Sequence, residues 1–245
     1  MKGLVLITGG SRGIGAATSI KLAEEGYQVC INYRENKNAA ERLVNQITYK
    51  GGKAMSIQAD ISMEEEVIKM FSKIDNEFGS IIGLVNNAGI VGKASNLAEM
   101  SYERIKKIFE VNVIGTMLCS RESIKRMSTK YGVKGGSIIN ISSGASKLGS
   151  PNTYVDYAST KGAIDTFTIG LAKEVAEENI RVNAIRPGFI ETEIHQIKNR
   201  LQEVVKSIPM KRVGQPEEIA ETIVWLLSEK SSYTTGAIID ISGGK

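Results

Sequence analysis

A tyrosine and a lysine four residues apart, Tyr157 and Lys161 in YASTK, lie in a stretch that is helical in pattern from about residue 154 to 178. Residues four apart on a helix share a face, so phenol and ammonium become neighbours. Proton transfer near neutrality needs a group that titrates near the operating pH, whereas a free phenol titrates near 10. One ammonium at about 4 Å contributes about 4 kcal/mol at an effective dielectric near 20, equivalent to about three pH units. The expectation is a Tyr157 shifted downward by Lys161 into a general acid and base. Ser143 follows the apolar run 138–142, where its hydroxyl would polarise an oxygen held by Tyr157 while hydride reaches the carbon between them. Asn112, in the helical VNVIGT, supplies an amide on an otherwise apolar face, for the reaction or for a helix–helix hydrogen bond.

A second set of residues suits an anion. TGGSRGIG at 8–15 joins the apolar run 4–7 to a helical pattern over 16–25. Gly9 and Gly13 can adopt left-handed backbone, Gly15 lets helix and strand approach, and the helix's first N–H groups face a pyrophosphate. Sites that prefer NAD place Asp or Glu about 20 residues beyond the loop. This chain instead has Asn32, Tyr33 and Arg34, with Arg12 inside the loop. Two guanidiniums suit a 2'-phosphate, so NADP(H) is expected over NAD(H). Asp60 is positioned to accept from an adenine amino group and to cap a helix starting near Met63. In Asn86, Asn87, Ala88 and Gly89 the small residues leave space, and the amides can bond backbone or a ribose.

The elements that must carry these groups alternate from end to end. Short apolar runs at 4–8, 28–33, 54–59, 83–86, 137–142, 181–185 and 237–241 are separated by amphipathic helical stretches. That order implies one doubly wound, Rossmann-type α/β domain with a parallel sheet of about seven strands and helices on both faces. Chemistry then collects beyond the carboxyl ends of the strands, which is where the residues above fall. The 245 residues are 42% hydrophobic and 24% charged, with 25 glycines and 4 prolines. A net charge of +4 without a basic stripe does not indicate nucleic acid. Cys30 and Cys119 read as buried thiols of a reducing compartment, no metal cluster is evident, and no run has membrane length. The cytoplasm is the expected location.

Together, TGGSRGIG, Asp60, NNAG at 86–89, Asn112, Ser143, YASTK and RPG at 186–188 resemble the short-chain dehydrogenase/reductase family across essentially the whole chain. The resemblance implies a catalytic tetrad of Asn112, Ser143, Tyr157 and Lys161. Asn112 would help to hold a water linking Lys161 to a proton relay, and Lys161 would also bind the nicotinamide ribose. It places Gly9, Ser11, Arg12, Ile14, Arg34, Asp60, Ile61, Asn87, Gly89, Pro187, Gly188, Ile190 and Thr192 along the cofactor, with Ala88 in the same NNAG turn. Tyr33 stands where NAD-preferring members carry Asp. The interval from Ser143 to Tyr157 is one residue longer than in many members, which leaves Ser142 as a weaker candidate behind Ser143. Residues 191–215, with His195 and Met210, match the variable substrate lid, where His195 reads as a surface residue. A homotetramer is implied, built through helices around 101–130 and 154–178 with the C-terminal strand.

The expected activity is NADP(H)-dependent interconversion of a small carbonyl and a secondary alcohol, with reduction as the cellular direction. Lys125, Arg126, Lys130 and Lys134 raise the alternative of a 3-oxoacyl-acyl-carrier-protein reductase that greets an acidic carrier, or they form a solvated helix end. Sugar 1-dehydrogenase is a third reading. A catalytically silent NADP(H)-sensing protein is opposed by the intact tetrad.

Overall fold

Strand β1 (Lys2–Ile7) shows why the sheet is covered on both sides: Leu4 and Leu6 join one buried cluster, Val5 and Ile7 another. Alternate residues of a strand face opposite ways, so an apolar run satisfies two faces at once. In the computed structural model, which describes residues 2–192 and 201–245, six further strands follow. They are β2 (Tyr27–Tyr33), β3 (Lys53–Gln58), β4 (Ile81–Asn86), β5 (Gly136–Ile141), β6 (Ile180–Pro187) and β7 (Ile238–Ile241). All pair in parallel in the order β3-β2-β1-β4-β5-β6-β7. The chain reverses direction across the sheet between β3 and β4, leaving a crevice where β1 and β4 adjoin.

Helices α1 (Gly13–Glu24), α2 (Lys37–Tyr49), α3 (Glu64–Phe78), α4 (Tyr102–Phe109), α5 (Thr116–Met127) and the short α6 (Ala145–Leu148) link these strands. They are followed by α7 (Val155–Glu174), α8 (Leu201–Ser207) and α9 (Pro216–Leu227). Leu22 of α1, Leu43 of α2 and Ile219 of α9 pack on the Val5 side. Phe71 of α3, Cys119 of α5 and Leu171 of α7 pack on the Leu4 side. Local chemistry sets several starts: Asn36 accepts from Ala39 N (3.0 Å) ahead of α2, and Ser101 from Arg104 N (3.2 Å) ahead of α4.

The ends of several elements differ from the sequence reading, β1 and β4 each beginning two residues earlier, and two differences bear on the site. β6 runs two residues further, through Arg186 and Pro187, because β7 pairs with both. Residues Glu110–Gly115, between α4 and α5, form a π-helical turn centred on Asn112. Such wide turns reposition a side chain and recur at functional sites. Both cysteines are free and fully buried; burial pushes the Cys30 thiol up and that of Cys119 to about 12. No described helix is long and apolar enough to cross a membrane, and no metal-binding group occurs among the described residues.

Candidate active site

The Gly-rich loop is shaped by backbone demands. Gly9 and Gly13 have φ of +59° and +52°, the left-handed region that favours glycine. A Cβ on Gly15 would lie 2.5 Å from Gly9 O and 2.6 Å from Asn87 Nδ2. Arg12 precedes α1 without a side-chain cap, and the first turn carries no acidic residue, so the helix N-terminus offers its N–H groups to an anion. Asn87 Nδ2 bonds Thr8 O (3.0 Å) and Gly9 O (2.9 Å), while Ala88 packs on Gly9. These features fit a dinucleotide pyrophosphate. Of the two adjacent asparagines, Asn86 is structural: buried, it donates to Ser120 Oγ (3.0 Å) and Asn140 Oδ1 (2.9 Å).

At the far end of the crevice Tyr33 is buried where β2 ends, and Arg34 is engaged by two carboxylates, Glu35 and, at 4.0 Å, Asp60. Asp60 does not cap α3. Its Oδ1 accepts from Ser62 N (2.9 Å) and Ser62 Oγ (2.6 Å), closing a turn before the helix, which begins two residues beyond Ser62. Burial pulls the Asp60 carboxyl upward, but the Ser62 bonds with Lys107 and Arg34 outweigh it and hold it below its ordinary value. A groove of about 400 Å³ opens beside the loop, bordered by Ser11, Arg12, Asn36 and Arg42. Arg42 makes no hydrogen bond or ion pair among the described residues. It is the cation that sequence reasoning missed; its place one turn into α2 was the available signal.

On the other side of the crevice the proton-transfer candidates gather. The Ser143 hydroxyl lies near enough to Tyr157 to favour its ionised form and accepts from Ala145 N (3.1 Å), whereas Ser142 is turned away, donating to Lys161 O (3.2 Å). Lys161 Nζ donates to Ile141 O (2.6 Å), lies 5.6 Å from the centre of the Tyr157 ring, and would be 3.6 Å from a Cβ on Gly89. Asn112 is committed on both sides of its amide. Oδ1 accepts from Ile90 N (2.8 Å), and Nδ2 donates to Ile90 O (3.0 Å) and Thr160 Oγ1 (3.1 Å). It therefore pins the chain leaving β4 to α7, the structural alternative that the sequence left open.

The electrostatics revise the expectation for the phenol. Desolvation pushes Tyr157 above its ordinary value, and the bond to Ser143 offsets only part of this. Lys161 does not pull it down; burial lowers the lysine itself to about 8, with Asp165 one turn further on partly restoring its charge. Asp165 is held by Arg186 of the RPG segment at 2.9 Å. A lysine whose folded value lies below 10.5 lowers stability fully below pH 8. That penalty disappears as pH rises from 8 towards 10.5, where the native chain sheds the proton that the unfolded chain keeps. Lys161→Met is accordingly expected to be more stable than the parent at pH 7, by at most about 3 kcal/mol. The gap should close by pH 10 in urea unfolding curves, and a gap that is constant with pH would refute the assignment.

The remaining candidates border the crevice from β6 onward. Gly188 N bonds Ile241 O (2.9 Å), Ile190 is buried and bridges to Gly214, and Thr192 sits over Gly13, 3.2 Å from where its Cβ would be. Ile61 packs on Gly115 of the π turn, and Ile14 lies at the start of α1. His195 and the rest of 193–200 in the candidate lid fall outside the described residues; Met210 is exposed. The basic group is mostly neutralised: Lys125 pairs with Glu122 (2.8 Å), Arg126 with Asp75 (2.8 Å), and Lys130 with Glu178. Anchors not singled out from sequence include Thr8, whose Oγ1 accepts from Asn87 N (3.0 Å) and Ala88 N (3.1 Å). Asn32, buried, holds Gly9 N through Oδ1 (3.3 Å) and Ala59 O through Nδ2 (3.1 Å).

Comparison with known proteins agrees with this architecture. A family model described as "Enoyl-(Acyl carrier protein) reductase" matches residues 9–245. The chain is 53% identical over 245 residues to "Uncharacterized oxidoreductase YgfF" of Escherichia coli K12, covering 99% of both chains. It is 38% identical to "Glucose 1-dehydrogenase 2" of Bacillus subtilis, covering 98% of this chain and 93% of that one. Among solved structures, a Serratia marcescens short-chain dehydrogenase/reductase mutant superposes with a TM-score of 0.92 at 30% identity, covering 99% and 97% of the two chains. A blue fluorescent protein from a metagenomic library, in complex with NADPH, gives 0.91 at 29% identity, covering 98% and 96%. The chain belongs to the short-chain dehydrogenase/reductase family of oxidoreductases.

Proposed function

We propose that this oxidoreductase uses NADP(H) to interconvert a carbonyl and a secondary alcohol, with Tyr157 as the proton donor and acceptor. The observation that carries the reading is the buried Lys161, its Nζ 5.6 Å from the centre of the Tyr157 ring and held by Ile141 O beside Ser143, at the edge of the same crevice as the glycine cradle. The nicotinamide, when bound, supplies or accepts the hydride. Tyr157, kept protonated at neutral pH by its burial, gives its proton to the carbonyl oxygen, and Ser143 donates a second hydrogen bond to it. Lys161, neutral above about pH 8 and charged below, is held by Ile141 O and offers a donor to the ribose. Asn112 acts on the site by fixing Ile90 and Thr160.

Preference for NADP(H) rests on Arg12 and Arg42 at the groove, with Arg34 already balanced by Glu35 and Asp60. One charge-assisted contact is worth about 1.5–3 kcal/mol, so kcat/KM with NADPH should exceed that with NADH by about tenfold or more. Equal efficiencies would overturn the preference. Relatives named 3-oxoacyl-[acyl-carrier-protein] reductase and glucose 1-dehydrogenase motivate two substrate tests, an acetoacetyl thioester and an aldose. The pairing of Lys125, Arg126 and Lys130 weakens the carrier-protein alternative. A homotetramer is part of the proposal: Ile114 in the π turn, Met117 on α5 and Ile169 on α7 remain exposed and apolar, as a face covered by a second copy requires.

A further inference from the structure

Arg104 of α4 plays no part in the chemistry above, yet almost its whole guanidinium is spent on the ground beside Tyr157. Its Nε and Nη2 donate to Asp156 Oδ2 (2.8 Å) and Oδ1 (3.2 Å). Its Nη1 donates to Lys93 O (2.6 Å) and Ser95 Oγ (2.8 Å). Asp156 is 1% exposed at its side chain and Arg104 18%. Asp156 Oδ1 also accepts from Tyr157 N (2.9 Å), and Ser95 N reaches Thr153 O (3.1 Å) just ahead of α7. The fit is close: a Cβ on Gly92 would lie 2.6 Å from Arg104 Nε.

A buried ion pair is a weak source of stability, since desolvation consumes most of its attraction. What this pair does provide is direction. The bidentate fork fixes Asp156 in two dimensions, and Asp156 in turn holds the amide of the residue bearing the phenol. The same guanidinium ties the chain leaving β4, which Asn112 anchors at Ile90, to the start of α7. We propose that Arg104 and Asp156 are positioning residues for the reaction, locking the first turn of α7 so that Tyr157 meets Ser143 and the substrate oxygen at the required distance. The proposal rests on the reading of Tyr157 as the proton donor.

The test uses the full chain in four forms: Arg104→Met, Arg104→Lys, the double variant Arg104→Met with Asp156→Asn, and Tyr157→Phe as control. Thermal melting, amide hydrogen exchange over 153–158 and turnover of ethyl acetoacetate with NADPH are measured. Arg104→Met leaves a buried carboxylate unpaired and should melt lower. The double variant removes that charge and should regain the melting temperature, yet exchange faster at Tyr157 and turn over about 10- to 100-fold more slowly at an unchanged KM for NADPH. Arg104→Lys, charged but without the fork, should fall between. Recovery of exchange protection and kcat together with melting, or a parental kcat in Arg104→Lys, would reduce the pair to ordinary structure and overturn the proposal. Should Tyr157→Phe keep its turnover, or the parent reduce no carbonyl probe, the functional reading fails instead and amide exchange decides the positioning claim.

Discussion

Tyr157→Phe is expected to reduce kcat by about 10²–10⁴-fold, the usual contribution of a placed general acid, with little change in melting temperature. The substitution keeps the ring, its packing and the face that Lys161 Nζ approaches at 5.6 Å. Only the hydroxyl is lost, with its proton and its interaction with Ser143. Because burial raises the phenol, the parent enzyme should hold its reductive activity across neutral pH and show no loss from ionisation of the tyrosine until well into alkaline solution. Steady-state kinetics in the reductive direction check both points. Turnover within about threefold of the parent, well short of the acid–base range, would remove the tyrosine from the chemistry.

Gly15→Ala should be the most damaging single methyl group in the cofactor cradle. The new Cβ meets Gly9 O at 2.5 Å, Asn87 Nδ2 at 2.6 Å and Gly10 Cα at 2.9 Å. Two of these are backbone, and the third is an amide already bonded to Thr8 O and Gly9 O. Relief requires the loop to back away from α1, which breaks the Asn87 bonds and moves the pyrophosphate donors. Alanine gains about 1 kcal/mol of helix propensity, but overpacking costs about 1–3 kcal/mol, so the net change in stability is small or adverse. Affinity carries the larger effect. A displacement near 1 Å is expected to weaken NADPH binding by about a hundredfold, measured by fluorescence titration beside urea unfolding. Unchanged affinity would show that the loop does not hold the phosphates.

The strand series was legible because period-two and continuous apolar runs need only local sequence, and the sheet appears with seven parallel strands at those places. Its ends were less so: whether β6 stops at Ile185 or Pro187 depends on β7, far along the chain. The π turn at Asn112 leaves no mark in VNVIGT, since one extra residue per turn hardly alters the apolar spacing. Arg34 read as an unclaimed cation because its partners, the adjacent Glu35 and the distant Asp60, compete only once β2 and β3 are side by side. The direction of the Tyr157 shift failed for a related reason. Spacing puts a lysine near the phenol but says nothing about how far both are removed from water, and desolvation prevails. The Arg104–Asp156 contact joins residues 52 apart and had no local signature.

The hydroxyl of Thr8 accepts from two amides at the end of β4 and donates to Val85 O on that strand. The outgoing segments of β1 and β4 are thereby fused into one stiff jaw, unable to part without breaking three bonds at once.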